Sequence, residues 1–182
     1  MRLTKKAMGG LGAYFLMSAM TAVSLPAHAD VVGKLKFDEI VAQSSACVVA
    51  EVTNIEYGRD EAGIYTLTTF SVVKVAFGDI GDTITVRTAG GRYKQGKISG
   101  VSVASGTPIF FNGRKSMLFL SESTSGGAME IVGENQGLFA LVPSNDNFIS
   151  MPSSMGGVTS VDVIIDRARS RRAVGNTDDL AQ

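Results

Sequence analysis

The chain has 182 residues, of which 45% are hydrophobic and 19% are charged, and its 17 basic residues equal its 17 acidic ones. Such a composition is that of a globular protein with its own core, and the balanced charge excludes a general attraction to nucleic acid. A single Cys excludes an internal disulfide, and a single His excludes the usual histidine-rich zinc sites.

The amino-terminal segment has the pattern of an export signal. A basic start precedes an apolar run over residues 7–25, and Ala27-His28-Ala29 is the small-residue pattern that a signal peptidase cuts. We therefore expect residues 1–29 to be a Sec-type signal peptide, the mature chain to start at Asp30, and the protein to reach the periplasm or the outside of the cell. The alternative, an uncleaved membrane anchor, is disfavoured by Pro26 and by the cleavage site.

Cleavage would change the chemistry of the chain. It removes three of the 17 basic residues and leaves 14 against 17 acidic ones, a net charge of −3 over the 153 residues that remain of 182. It also removes His28, the only histidine, which excludes Ser-His-Asp and Cys-His catalysis. Cys47 lies in the apolar run ACVVA, which predicts a small buried core residue, with an intermolecular disulfide as the alternative.

The mature chain consists mostly of short β-branched runs separated by Gly, Asp and Asn, which predicts a small all-β barrel or sandwich. A short helix over Phe37–Gln43 precedes the first strand. The predicted strands and extended segments are Ala46–Tyr57, Ile64–Phe77, Thr83–Thr88, Ile98–Ala104, Pro108–Asn112, Ser116–Ser121, Met129–Gly133 and Leu138–Val142. The length of Ile64–Phe77 predicts a bend or a β-bulge in that strand.

The β domain is expected to span residues 37–142, and three different segments follow it. Residues 143–159 are rich in Ser, Asn, Met and Gly and are predicted to be a linker. Residues 160–174 are predicted to form a short helix. The apolar face of that helix would consist of Val161, Ile164, Ile165 and Ala168. The tail, residues 175–182, is predicted to be disordered.

The order of these motifs resembles a known kind of domain. The stretches ACVVAEVTNIEY, GIYTLTTFSVVKVAFGDIGDTITVRTAGG, GTPIFFNGRKSMLFL and GENQGLFALV together resemble a domain of secreted bacterial proteins that is similar to the TIMP or netrin-like OB barrel. The resemblance covers about residues 37–142 and implies an OB-like barrel. TIMP inhibitors chelate zinc through an amino-terminal Cys, whereas Asp30 is the expected amino terminus here, so the resemblance does not carry over zinc chelation.

Two short motifs resemble catalytic signatures. From Gly91 the stretch GGRYKQGKIS reads G-x-x-x-x-G-K, but Ile98 stands where a P-loop has Ser or Thr, and strand-forming residues follow where a helix is required. A hairpin loop with solvated cations is therefore expected. Ser71-Val72-Val73-Lys74 matches the serine-acylating S-x-x-K motif, yet residues three apart on a strand point to opposite faces.

Two clusters of charged residues, one acidic and one basic, each allow a structural and a functional interpretation. Gly-rich turns hold the four acidic residues Asp60, Glu61, Asp79 and Asp82. Such residues are expected in turns, and calcium binding is the alternative. The predicted carboxyl-terminal helix holds four basic residues, Arg167, Arg169, Arg171 and Arg172. A solvated helix face is expected there, and contact with an anionic envelope surface is the alternative.

We therefore expect a non-catalytic module that uses no cofactor and binds a protein or a polymer of the envelope or the extracellular space. The expected contacts are Arg92, Tyr93 and Lys94 on the loop Gly90–Gly106, because OB-type barrels bind through strands and adjoining loops. An aromatic residue between two cations suits a carbohydrate, an acidic peptide or a protein. The alternatives are an inhibitor of an envelope enzyme, and an enzyme that depends on carboxylates or a metal.

Overall fold

The computed structural model describes residues 33–123, 127–142, 145–152, 155 and 157–178. The predicted signal peptide, its cleavage site and the amino terminus Asp30 lie outside the described residues. The described part consists mainly of strands, with one short helix before them and one helix after them. The predicted all-β class with two flanking helices is therefore confirmed.

The described elements are, in chain order, α1 Phe37–Gln43, β1 Ala46–Asp60, β2 Gly63–Phe77, β3 Thr83–Ala89, β4 Gly91–Gln95, β5 Ile98–Ser102, β6 Lys115–Glu122, β7 Met129–Ile131, β8 Leu138–Val142, β9 Asn145–Ser150, β10 Val158–Ser160 and α2 Val161–Asp178. The predicted strand Ile98–Ala104 is present as β5, whereas its partner strand β4 was not predicted, and the segment 107–112 has no strand.

Five strands form a ring. β1 pairs with both β2 and β6, β2 pairs with β3, and β7 joins β3 to β6. All these pairs are antiparallel except β3–β7, which is parallel and joined through Val86 and Met129. The sheet therefore closes partly into a small barrel, and β8, β9 and β10 extend it beyond β6.

Bulges bend the long strands β1 and β2. The register skips Ala76 and Val73 on β2 and Thr53 on β1. An extra residue on one strand increases the local twist and bends that strand, which is how a strand of 15 residues follows the curve of a small barrel. The bend predicted for this strand from its length is present.

Two hydrophobic cores share strands β1 and β6. Inside the barrel lie Val48, Ala50, Val52, Leu118 and Leu120, together with residues of β2, β3 and β7. The alternate residues of the same two strands belong to a second core with α1, α2, β8 and β9; they are Cys47, Val49, Met117 and Phe119. Successive side chains of a strand point to opposite faces, so these two strands are buried on both faces.

The segment predicted as a linker, residues 143–159, contains the strands β9 and β10. In β9 the side chain of Ile149 is buried and the other five are exposed. Because most of its side chains face solvent, this strand can be as polar in sequence as a linker. The predicted apolar face of the last helix is buried as expected, since Val161, Ile164, Ile165 and Ala168 all lie in the second core. This helix continues to Asp178, into the segment predicted to be a disordered tail.

Phe119 is the centre of the second core. Its ring makes edge contacts with Phe37 and Phe139 at 5.7 Å between centroids in both cases, and a third contact with Phe77 at 6.5 Å. Phe119→Ala should lower the free energy of unfolding by about 3–5 kcal/mol, because it removes a buried ring from a packed cluster. Equilibrium unfolding in urea measures the loss.

Phe111 provides the matched control, since 64% of this residue is exposed. Phe111→Ala should change the free energy of unfolding by less than about 1 kcal/mol. An equal decrease in the free energy of unfolding in the two variants would contradict the assignment of Phe119 to the second core.

Candidate functional site

The hairpin of β4 and β5 is an insertion between the barrel strands β3 and β6. Gly96 and Lys97 form its two-residue loop, and Gly96 has a φ of 61° whereas Lys97 is not in the left-handed region. A glycine with positive φ at the first loop position is the signature of a type II′ turn, whose twist matches that of a hairpin. Ile98 continues the hairpin as a strand, so the near P-loop lacks the helix that a phosphate cradle needs.

Glycines hold the base of the hairpin against the barrel. Gly90 and Gly91 have φ angles of 80° and 136°, which disfavour other residues. The hydroxyl of Thr66 donates a hydrogen bond of 2.8 Å to the carbonyl of Gly90. A Cβ at Gly91 would collide with that hydroxyl and with the ring of Tyr57. The path of the chain from β3 into β4 therefore requires glycine at both positions.

The hairpin separates the three predicted contact residues. Arg92 and Val101 are cross-strand partners, so their side chains share one face of the hairpin, and Lys94 follows on that face nearer the turn. Tyr93 lies on the opposite face and packs across Gly100, where an added Cβ would lie 2.8 Å from the phenol oxygen. The aromatic ring therefore covers a glycine of the neighbouring strand, and it does not lie on the same face as the two cations.

An open cavity of ≈ 520 Å³ lies beside the hairpin, and we call it the hairpin groove. Its walls come from β1 and β2, from the end of β3, from the hairpin with the two residues that follow it, and from the segment 107–112. They consist of Ile55, Tyr57, Thr66, Ala89, Gly90, Gly91, Arg92, Val101, Ser102, Val103, Ala104, Thr107, Pro108, Ile109, Phe110, Phe111 and Asn112. Arg92 is the single charged residue among these lining residues. Such a site suits a largely apolar ligand.

Four large apolar side chains around the hairpin groove are exposed to solvent. The exposed fraction is 64% for Val101, 78% for Val103, 75% for Ile109 and 64% for Phe111. Isolated exposed apolar residues are ordinary, whereas a contiguous group beside a cavity is typical of an interaction surface. This group is the strongest indication of a binding site in the described part of the chain.

The sequence prediction missed Ile109 and Phe111. The run PIFFN looks like an apolar extended segment, but its side chains alternate between two environments. Phe110 points inward, where its ring lies 5.2 Å from that of Phe70 in an edge contact, while Ile109 and Phe111 are exposed. Pro108, which has no backbone N–H, and the following Asn-Gly turn are the signals that this run is too short to be a core strand.

A second cavity of ≈ 430 Å³ has a more polar lining that includes Arg87, Glu130 and Glu134. The guanidinium of Arg87 forms a 2.5 Å ion pair with Asp60 and lies 3.9 Å from the centroid of the Tyr65 ring. The hydrogen bond from Arg87 lowers the pKa of Asp60 below its ordinary value. One of the acidic turn residues thus has a structural partner. Within residues 33–123 and the later described segments, no group of three or more His, Cys, Asp or Glu is placed to hold a metal ion.

The four arginines of α2 all make contacts within the domain. The guanidinium of Arg169 donates 2.7 Å and 3.0 Å hydrogen bonds to the carbonyls of Ala76 and Val75, at a β2 bulge. The other three arginines have three other partners: Arg171 pairs with Asp38 at 3.1 Å, Arg167 covers the ring of Phe37, and Arg172 covers the ring of Phe77. These cations therefore hold the helix against α1 and β2.

Two further candidate residues are in structural positions. Lys74 of the S-x-x-K match lies on a strand and pairs with Asp162 of α2 at 2.5 Å. Cys47 is fully buried, as the sequence predicted, and its burial raises the pKa of the thiol well above its ordinary range. A buried neutral thiol does not act as a nucleophile in the folded chain.

Comparisons with family models, with curated proteins and with solved structures found no match to this chain. No helix among the described residues has the length and apolar character needed to span a bilayer.

The burial of Cys47 makes its thiol a reporter of opening of the barrel. In native buffer the thiol should react with a maleimide about a thousandfold more slowly than in denaturant, because reaction requires strand β1 to open. The labelled fraction is measured by mass spectrometry over time. A Ser99→Cys, Cys47→Ala chain carries an exposed thiol and should react at once. Rapid native labelling of Cys47 would contradict its place in the core.

Proposed function

We propose that this chain is an exported, non-catalytic β-barrel module that binds another protein through the hairpin groove. The group of exposed apolar side chains at Val101, Val103, Ile109 and Phe111 around a ≈ 520 Å³ cavity is the observation that carries this proposal. Protein partners cover such patches, whereas carbohydrate and nucleic-acid sites hold more charged and polar groups than this groove, whose lining has Arg92 as its charged member.

We further propose that the barrel is of the OB type and related in shape to the TIMP and netrin-like domains. Five strands that form a partly open ring support this assignment. The hairpin groove is formed largely by the segment inserted between β3 and β6, which follow one another along the chain among the strands of the ring. The proposed activity therefore comes from this insertion and not from the fold itself.

The amino-terminal segment supports export. If residues 1–29 are a signal peptide, the protein recovered from the periplasm or the medium should begin at Asp30. Amino-terminal sequencing or intact mass of the purified protein measures this. Ala29→Arg should block cleavage and leave the longer chain at the membrane, and Ala7→Ser, far from the cut, is the control. An intact Met1 in the membrane fraction of the unchanged chain would contradict export by cleavage.

The hairpin groove is tested by photocrosslinking in the native host. A benzophenone amino acid in place of Phe111 should give one or a few discrete protein adducts, because a partner covers this side chain. The same residue in place of Val163 is the matched control, since 57% of Val163 is exposed on α2, away from the groove lining. Gel mobility and mass spectrometry of the adducts measure the result.

Substitutions then separate the predicted contacts. In the Phe111 photocrosslinking chain, Val103→Asp should abolish the adduct, because a carboxylate beside the groove opposes apolar contact. Arg92→Ala should lower its yield several-fold, and Lys94→Ala should leave it unchanged, since Arg92 lines the groove and Lys94 does not. Adducts that form equally at Val163, or that survive Val103→Asp, would contradict the proposal.

A further inference from the structure

Strand β5 has an unpaired edge. Among the described residues it pairs with β4 and with no other strand. In a two-residue hairpin loop the flanking pair, here Gln95 and Ile98, is hydrogen-bonded, and bonded and non-bonded pairs alternate along the hairpin. Ser99 and Val101 belong to the non-bonded pairs. Their N–H and C=O groups therefore face away from β4, towards solvent.

This edge meets the hairpin groove. The residues from Val101 to Ala104 line the groove, and so does the segment 107–112 to which they lead. One backbone hydrogen bond connects the two segments, from Thr107 N–H to Ala104 C=O at the turn. Beyond this turn both segments line the same open and largely apolar groove, so they form two of its walls.

The charge on the rim of the groove is also unpaired. Within the part of the chain that the structure describes, none of the hairpin cations Arg92, Lys94 and Lys97 has a salt-bridge partner, and of these three Arg92 alone lines the groove. A partner with a carboxylate at this position would complement the guanidinium, and such a pair favours the correct register of association.

We propose that the ligand of the hairpin groove is an extended polypeptide segment that adds to β5 as a strand. Its backbone pairs with Ser99 and Val101, its alternate apolar side chains enter the groove between Val103 and Phe111, and an acidic side chain meets Arg92. This inference rests on the proposed binding function and names the class of partner. A strand edge of five residues spans about 16 Å, which matches a segment of five to six residues.

Three observations favour a polypeptide over other ligands. A row of backbone donors and acceptors is complemented by another backbone, which polysaccharides and lipids lack. The apolar lining provides places for side chains at the two-residue spacing of a strand. The hairpin edge, with Ile98 and Val101 exposed and no proline, would favour aggregation if it had no partner.

The test uses a phage-displayed library of random dodecapeptides and the chain purified from the exporting host. Selected peptides should show apolar residues at every second position, with Asp or Glu beside them. The dissociation constant of a synthetic selected peptide is then measured by fluorescence anisotropy. Absence of enriched peptides, or apolar residues at the three- and four-residue spacing of a helix, would overturn strand addition.

Position 99 provides a matched pair of variants. Ser99→Pro removes the N–H that faces the edge and keeps the hairpin bonds to β4, whereas Ser99→Ala removes the hydroxyl alone. Ser99→Pro should weaken the peptide at least tenfold, and Ser99→Ala should change it less than twofold. Equal affinities for the two variants would overturn strand addition.

A chemical test on the peptide does not depend on folding of the Ser99→Pro variant. N-methylation at alternate amides of the selected peptide should abolish binding in one phase of the alternation and have little effect in the other, because only one set of amides faces β5. Equal effects in both phases would overturn the inference.

Val103→Asp separates the two proposals. Loss of peptide binding in Val103→Asp together with no effect of Ser99→Pro would leave the groove as a binding site and remove strand addition. No effect of either variant would remove both.

Discussion

The pairing of β1 with β6 is the interaction on which the rest of the structure depends. Six residues of each strand are in register, from Ala46 opposite Leu120 to Glu51 opposite Lys115. This pair belongs to the ring of the barrel, and it also contributes to the second core, in which α1 and α2 are buried. It does both because alternate side chains of the two strands belong to different cores. A one-residue slip would exchange the two sets of side chains, so the register is specified from both faces.

This double burial decides where the domain can bind a ligand. The adjoining halves of β1 and β6 are covered on both faces, and α2 is held by its arginines against α1 and β2. The long connection between β3 and β6 is free of these constraints, and it provides the hairpin and the segment 107–112. The contact of Phe110 with Phe70 anchors the middle of this connection to the barrel core, and backbone hydrogen bonds join its ends to β1 and β2, while Ile109 and Phe111 remain exposed. A rigid barrel with an exposed insertion is a common way to present a binding surface.

The sequence predicted the barrel strands well because β-branched and apolar runs bounded by Gly-rich turns define them. It did not predict β9, since Ile149 is the buried side chain in an otherwise exposed strand, and composition alone cannot distinguish such a strand from a linker. At the candidate site the sequence grouped Arg92, Tyr93 and Lys94 as contacts on one loop, whereas in the structure Arg92 lines the groove and Tyr93 lies on the opposite face of the hairpin. The cross-strand contact of Tyr93 with Gly100 depends on hairpin register, which a type II′ turn at Gly96 sets and which the P-loop-like spacing obscured. Ile109 and Phe111 were missed because apolar residues are usually buried.

In the stretch GGRYKQGKIS, the glycines and cations that resemble a P-loop have structural roles in a hairpin. Glycines that a P-loop would use to approach a phosphate here give the chain its exit from the barrel at Gly90 and Gly91, and its turn at Gly96. The cation Lys97 lies in the turn, where its charge opposes edge-to-edge association, while Arg92 lies at the groove. The edge of β5 is thus protected at its tip and open at its base. A strand that adds to β5 would be guided to the open end, where the apolar walls and the unpaired guanidinium are located.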